Sequence, residues 1–314
     1  MDGLSGTAGT SPFLVMDDWR LGMDVTRNQQ TIAGPATVEG IGYWSSRDVR
    51  LEFRPAAVDS GIVFVRSDLP GNPRIPATIA HRTETPLRTV LRLGDARVDM
   101  IEHVMAALAG MQVDNCEIWV NQAEMPGCDG SSLPFVVALQ GAGLQEQAAP
   151  RAIRHVSRVI RMGDEKSWIE ARPSASGRTI VQYELDYGSG NAIGRQSLEI
   201  LLSPRFFHVN LAPSRTFMLE SEAAALQTQG LGLRATFQDL LVFDAAGPIG
   251  NSLRFPDECV RHKIVDVIGD LALAGCDLVG RFIAYRSGHR LNGELVRAIL
   301  ADDTAEQKNW RRCA

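Results

Sequence analysis

His262 and Asp266 stand four residues apart in the run His262-Lys263-Ile264-Val265-Asp266-Val267-Ile268-Gly269-Asp270. On a helix that spacing stacks an imidazole and a carboxylate on one stripe, where a single divalent cation can take both from one rigid element. Asp270 continues the stripe. Two other short runs supply what hydrolytic metal chemistry still lacks. Ile101-Glu102-His103-Val104 puts a base beside a further imidazole, and Ser287-Gly288-His289 offers an imidazole as an acid.

Each run also has an ordinary reading. His262, Asp266 and Asp270 could line a solvated helix face opposite Val260, Ile264, Val267, Ile268 and Leu271. Asp99-x-x-Glu102 has the form of a capping box, which would leave His103 on the surface of a first turn. His289 could be a turn residue. The chain has 6 histidines, and His81, His155 and His208 fall in no composed motif. The conjunction of the three runs, rather than any one of them, points to a metal-dependent hydrolase.

Helices and strands must bring these runs together. Residues 1–28 read as a loose tail. Val49 to Phe53, Gly61 to Arg66 and Asn115 to Asn121 carry strand patterns, and Asp99 is placed to cap a helix running to Gly110. A second helix is expected from Leu133 to Ala142. The polar 145–154 segment with Pro150 reads as a linker, so an N-terminal domain over 29–148 and a C-terminal domain over 149–314 are expected. In the second half, Trp168 to Ala171 and Thr179 to Leu185 read as strands. Pro256 then opens a helix with Asp257 and Glu258 in its first turn and Gly275 past its end. Strands followed by helices in each half give an α+β class.

Composition narrows the setting. With 45% hydrophobic and 22% charged residues, the chain reads as an ordinary globular enzyme. A net charge of −5 carries no basic footprint, so no nucleic acid partner is expected. The 5 cysteines are odd in number and form no C-x-x-C pair, which fits a reduced, cytoplasmic compartment. No apolar run reaches the roughly 20 residues of a membrane span, and the first 30 residues have no secretory pattern.

Together these segments resemble the UDP-3-O-acyl-N-acetylglucosamine deacetylases of lipid A biosynthesis. The resemblance runs through Ile101 to Gly110, Val113-Asp114-Asn115, Glu124 to Phe135, Ser214-Arg215-Thr216-Phe217, Leu253 to Glu258, His262 to Asp270 and Ser287 to Asn292. Upstream, Gly40-Ile41-Gly42 and Arg54-Pro55-Ala56 with Gly61-Ile62 also fit. It covers about residues 28 to 300.

The resemblance implies two α+β domains, each a β-sheet layered against helices, with the active site in the cleft between them. It implies His103, His262 and Asp266 as ligands of zinc, although a set of imidazoles and a carboxylate also accepts Fe2+. Three protein ligands leave a fourth position for water, whose pKa zinc brings from ~15.7 toward ~7. Glu102 would be the general base. His289, oriented and kept charged by Asp270, would stabilise the oxyanion or protonate the leaving amine, and Thr216 would donate to the oxyanion. Phe217 would lie near the acyl chain and Lys263 near the nucleotide-sugar end. The implied partner is a UDP-acyl amino sugar, and a monomer is expected.

The chain departs from the family pattern at several places. Tyr43-Trp44 stands where Leu-His is usual, Met100 replaces a Thr, and Arg88 replaces a small neutral residue. Leu233-Arg234-Ala235-Thr236-Phe237-Gln238-Asp239 stands where a Gly-Gly pair and an acidic residue are usual. These positions bear on acyl-chain length and substrate. Two alternatives are therefore a divergent paralogue that deacetylates another amino sugar, and a non-catalytic binding relative.

Overall fold

The computed structural model describes residues 26–310. Its two main sheets have five strands each and share one topology. The first runs Ala36–Ile41, Asp48–Pro55, Cys116–Val120, Ile62–Arg66, Arg74–Pro76 across the sheet. The second runs Ile160–Gly163, Trp168–Arg172, Arg281–Tyr285, Ile180–Asp186, Arg195–Leu201. In each, the strand last in sequence sits at the centre, parallel to the third and antiparallel to the second. A strand entering the centre last must arrive by a long crossover, and both crossovers carry a helix that bears candidate site residues.

The helices are α1 (Glu102–Gly110), α2 (Leu133–Ala142), the single turn α3 (Pro204–Phe206), α4 (Glu220–Thr228), α5 (Glu258–Leu271) and α6 (His289–Trp310). Alternating strands supply the core: Val49, Leu51 and Phe53 point inward in one sheet, and Val181, Tyr183 and Leu185 in the other. The helix α5 packs on α1, on α6 and on the strands Ile180–Asp186 and Arg195–Leu201. It is therefore enclosed on both faces, and the solvated-stripe reading of His262, Asp266 and Asp270 does not hold, since all three are buried.

Where α1 crosses α5 the backbones almost touch. A Cβ on Gly269 would lie 2.1 Å from the Glu102 carbonyl oxygen, so only a glycine lets the first turn of α1 rest on α5. The start of α1 also differs from the expectation. Asp99 ends the strand Ala96–Asp99, Ile101 takes the cap position without a side-chain bond, and the Glu102 carboxylate turns inward. No capping box forms, because Glu102 has a buried partner elsewhere.

Two further expectations are corrected. Arg27 and Asn28, expected in the loose N-terminal segment, belong to the fold: Arg27 is ion-paired and Asn28–Ile32 is a strand. The polar 145–154 segment is no irregular linker, since Leu144–Pro150 pairs antiparallel with Asn28–Ile32. Its polar residues occupy a two-stranded ribbon with exposed positions, which mimics linker composition. Residues 1–25, and Cys313, lie outside the described residues.

Beside that ribbon, Arg27 and Arg151 bind Asp114 and Asp277 at 2.6–3.1 Å. The two aspartates follow α1 and α5 respectively, so four charges tie the exits of the crossing helices together. Among the described residues, Cys116, Cys128 and Cys259 carry free thiols.

The crossing makes the first testable point. Gly269→Ala forces α1 off α5, an overpacking change expected to cost about 1–3 kcal/mol. A lower denaturation midpoint is the readout, and an unchanged midpoint would show that the crossing has slack.

Candidate active site

The first turn of α1 and the middle of α5 bring His103, His262 and Asp266 together, with one potential ligand atom of each within 4.8 Å of the others. His103 Nε2 and His262 Nε2 lie 3.7 and 3.4 Å from Asp266 Oδ1. His262 donates its Nδ1 hydrogen to the Ser214 carbonyl at 3.1 Å, which leaves Nε2 as the lone-pair nitrogen facing the triad. Lys263 donates to Asp266 Oδ2 at 2.7 Å and leaves Oδ1 turned inward.

The charges favour a cation at this point. Burial pushes His262 down to about 4, which Asp266 only partly opposes, so the ring is neutral at neutral pH and fit to ligate. Burial works against ionised Asp266, but the neighbouring Lys263 and His262 hold it well below the usual carboxylate range. Two imidazole nitrogens and one carboxylate oxygen, buried and convergent, form a donor set suited to a divalent metal.

Glu102 and His289 flank the triad. The Glu102 carboxylate accepts the Thr89 backbone N–H at 2.9 Å through Oε2, and its Oε1 lies 4.0 Å from His289 Nε2. His289 donates from Nδ1 to Asp270 Oδ2 at 2.8 Å, which turns Nε2 toward Glu102. Asp270 is fully buried, and also accepts from the Thr89 hydroxyl at 2.5 Å and the Asn292 amide at 2.8 Å. Burial opposes the charge on His289, yet Asp270 and Glu102 raise it to about 9. Desolvation raises Glu102 above its ordinary value despite the nearby His289 and His103.

A cleft of about 1550 Å³ opens over this cluster. Thr216 and Phe217 line it from the second half, and Phe217 meets the His262 ring edge-on at a centroid distance of 6.2 Å. Lys263 lines the cleft as well as holding Asp266. Every sequence-predicted site residue except Asp270 reaches the cleft, and Asp270 sits directly behind His289.

The model of UDP-3-O-acyl N-acetylglycosamine deacetylases matches residues 29–301. The chain belongs to that family. A relative from Psychrobacter arcticus, named UDP-3-O-acyl-N-acetylglucosamine deacetylase, is 40% identical over 278 residues, 88% of this chain and 86% of its own length. One of the same name from an Anaeromyxobacter species is 39% identical over 276 residues, covering 88% and 89% of the two chains. Another from Shewanella baltica is 38% identical over 280 residues, covering 88% and 91%.

Within this deacetylase the departures cluster at the cleft rim. The Arg88 guanidinium stacks on Trp44 at 4.4 Å from the ring centroid, and Asp99 lies 3.9 Å from its Nε. Met100 lines the cleft with a φ of 59°, a left-handed backbone just before α1. Thr89 escaped the sequence reading altogether. It lies in a loop separated in sequence from both Glu102 and Asp270, and nothing local marks a threonine whose amide and hydroxyl serve two different carboxylates.

Ligand removal tests the triad. His262→Ala and Asp266→Ala are each expected to abolish stoichiometric metal in the purified protein, measured by elemental analysis. Full occupancy in either variant would rule out that residue as a ligand.

Proposed function

We propose that this chain is a zinc-dependent deacetylase acting on UDP-3-O-(3-hydroxyacyl)-N-acetylglucosamine, releasing acetate and the free 2-amine in lipid A biosynthesis. The names of its relatives support the substrate and reaction. The observation that carries the chemistry is the pairing of a buried carboxylate, Glu102, and a charged imidazole, His289, on the edge of the His103–His262–Asp266 donor set. A binding module has no use for a desolvated base held opposite a maintained acid.

In this reading His103, His262 and Asp266 hold the metal. When bound, zinc supplies Lewis acidity to the hydrolytic water and the acetamide carbonyl. Glu102 takes a proton from that water as the oxygen adds to the carbonyl carbon. Its raised pKa makes it a stronger base than a surface glutamate. The Thr216 hydroxyl donates to the developing oxyanion. His289 then gives its Nε2 proton to the amide nitrogen, the C–N bond breaks, and acetate leaves with the amine freed. Asp270 fixes the His289 ring and stabilises its charge, while Thr89 and Asn292 also donate to the Asp270 carboxylate. Phe217 borders the acyl chain, and Lys263 serves the nucleotide-sugar end while it orients Asp266.

Acetate release from the UDP-acyl amino sugar tests the assignment. Glu102→Ala is expected to retain its metal and lose ~10²–10⁴ in rate, about 3–5 kcal/mol of transition-state stabilisation. A metal-replete wild type without acetate release would sink the reading.

The pH profile tests the acid. Activity requires Glu102 deprotonated and His289 protonated, so it rises through the raised glutamate pKa and falls as pH climbs through about 9. Asp270→Asn removes the largest influence holding the imidazolium charged, and the falling limb is expected to move to lower pH. A limb that stays in place would assign it to another group.

A further inference from the structure

The apolar arm of the cleft is built largely by one segment. Phe217–Leu219 pairs parallel with Leu241–Phe243, α4 crosses between them, and residues 229–240 return without helix or strand. Leu226, Leu231, Phe237 and Leu240 from this unit line the cleft. The returning loop leaves Leu233 and Phe237 65% and 45% exposed, so little of its own packing holds it in place. Within its own half, Asn251 bonds the Phe237 carbonyl and Gln238 bonds Gly250.

Across the cleft the loop meets Tyr43. The Tyr43 side chain is buried, and its hydroxyl lies against the carbonyl oxygens of Asp239 and, at 3.1 Å, Cys128. A phenol has one proton to donate, and Asp239 is the nearer acceptor. The seat is built for the ring: a Cβ on Gly127 would lie 2.1 Å from Tyr43 Cε1. The turn that carries Tyr43 is itself pinned, because the Glu124 carboxylate accepts the Trp44 and Ser45 amides at 2.7 and 2.8 Å. Arg234 adds bonds to the Ser46 carbonyl and Asp48, but that ion pair is exposed and contributes little.

We infer that Tyr43 is a positioning residue that latches the 229–240 loop against the first domain and thereby sets the acyl-chain length the apolar arm accepts. This rests on the proposed function, in which the arm receives the acyl chain. Tyr43 touches no reacting atom. It acts through the loop, which forms one wall of the arm, and a wall fixed on both sides discriminates chain length better than one free to yield.

Tyr43→Phe deletes the hydroxyl and keeps the ring. The experiment measures kcat and KM for wild type and variant on UDP-3-O-(3-hydroxyacyl)-N-acetylglucosamines of increasing chain length, together with amide hydrogen exchange of both proteins. Discrimination between the best chain and longer ones is expected to fall by ~10-fold in kcat/KM, through KM, with the pH limbs in place. Exchange is expected to quicken in residues 229–240 while the global denaturation midpoint holds. An unchanged length profile in an active variant overturns the selectivity role, and unchanged exchange overturns the latch. Wild-type inactivity on every chain overturns the functional reading and this role with it, a result distinct from activity with an unaltered profile.

Discussion

The close crossing of α1 over α5 is the constraint on which the rest of the molecule depends. Glu102 and His103 begin one helix; His262, Asp266 and Asp270 run along the other. Imidazoles and carboxylates in separate halves of the chain can share one cation only if the two helices that carry them pack directly against each other. Gly269 supplies that contact, with no side chain between it and the Glu102 carbonyl. The charge cluster of Arg27, Arg151, Asp114 and Asp277 then ties down the far ends of both helices.

Bringing these groups together buries charge, and the arrangement answers that cost residue by residue. An unpaired buried ion would lose several kcal/mol of solvation. Asp266 is matched by Lys263, and Asp270 by His289, with Thr89 and Asn292 also donating to its carboxylate. Glu102 is bonded through one oxygen to the Thr89 amide and leaves the other toward His289. Burial alone would drive both histidines toward neutrality. His262 yields and keeps a neutral ring able to ligate a cation, whereas His289, with carboxylates on two sides, stays charged. One element of chemistry, imidazole, thus takes two roles according to its partners.

The shared topology of the two sheets explains why such a site can arise at this place. Each half carries a central last strand reached by a crossover with a buried helix, and the two crossover helices are the ones that meet. The halves then diverge. In the first, the crossover carries the short sheet of Arg82–Thr83, Val90–Leu93 and Ala96–Asp99, which delivers Thr89. In the second, it carries the unit spanning residues 217–243, which shapes the apolar arm. Common architecture sets the crossing, and unlike insertions furnish the cleft.

Much of this was legible in the chain itself. The period of two in Val49–Phe53 and Thr179–Leu185, and the placing of the helix α5 between Pro256 and Gly275, reflect local backbone physics. The residue types at His103, His262, Asp266, Glu102 and His289 carry their chemistry wherever they stand, and their runs resemble one family. Tertiary structure decided which alternatives applied. Spacing alone could not separate a solvated stripe from a buried one on α5, because periodicity specifies a face and not what covers it. It suggested a cap at Asp99 where the Glu102 carboxylate had a long-range partner, and a linker where exposed polar residues form the Leu144–Pro150 strand. Thr89, Gly269 and Tyr43 draw their meaning entirely from neighbours far away in sequence. Distances between remote segments are set by packing, and a linear pattern holds no record of them.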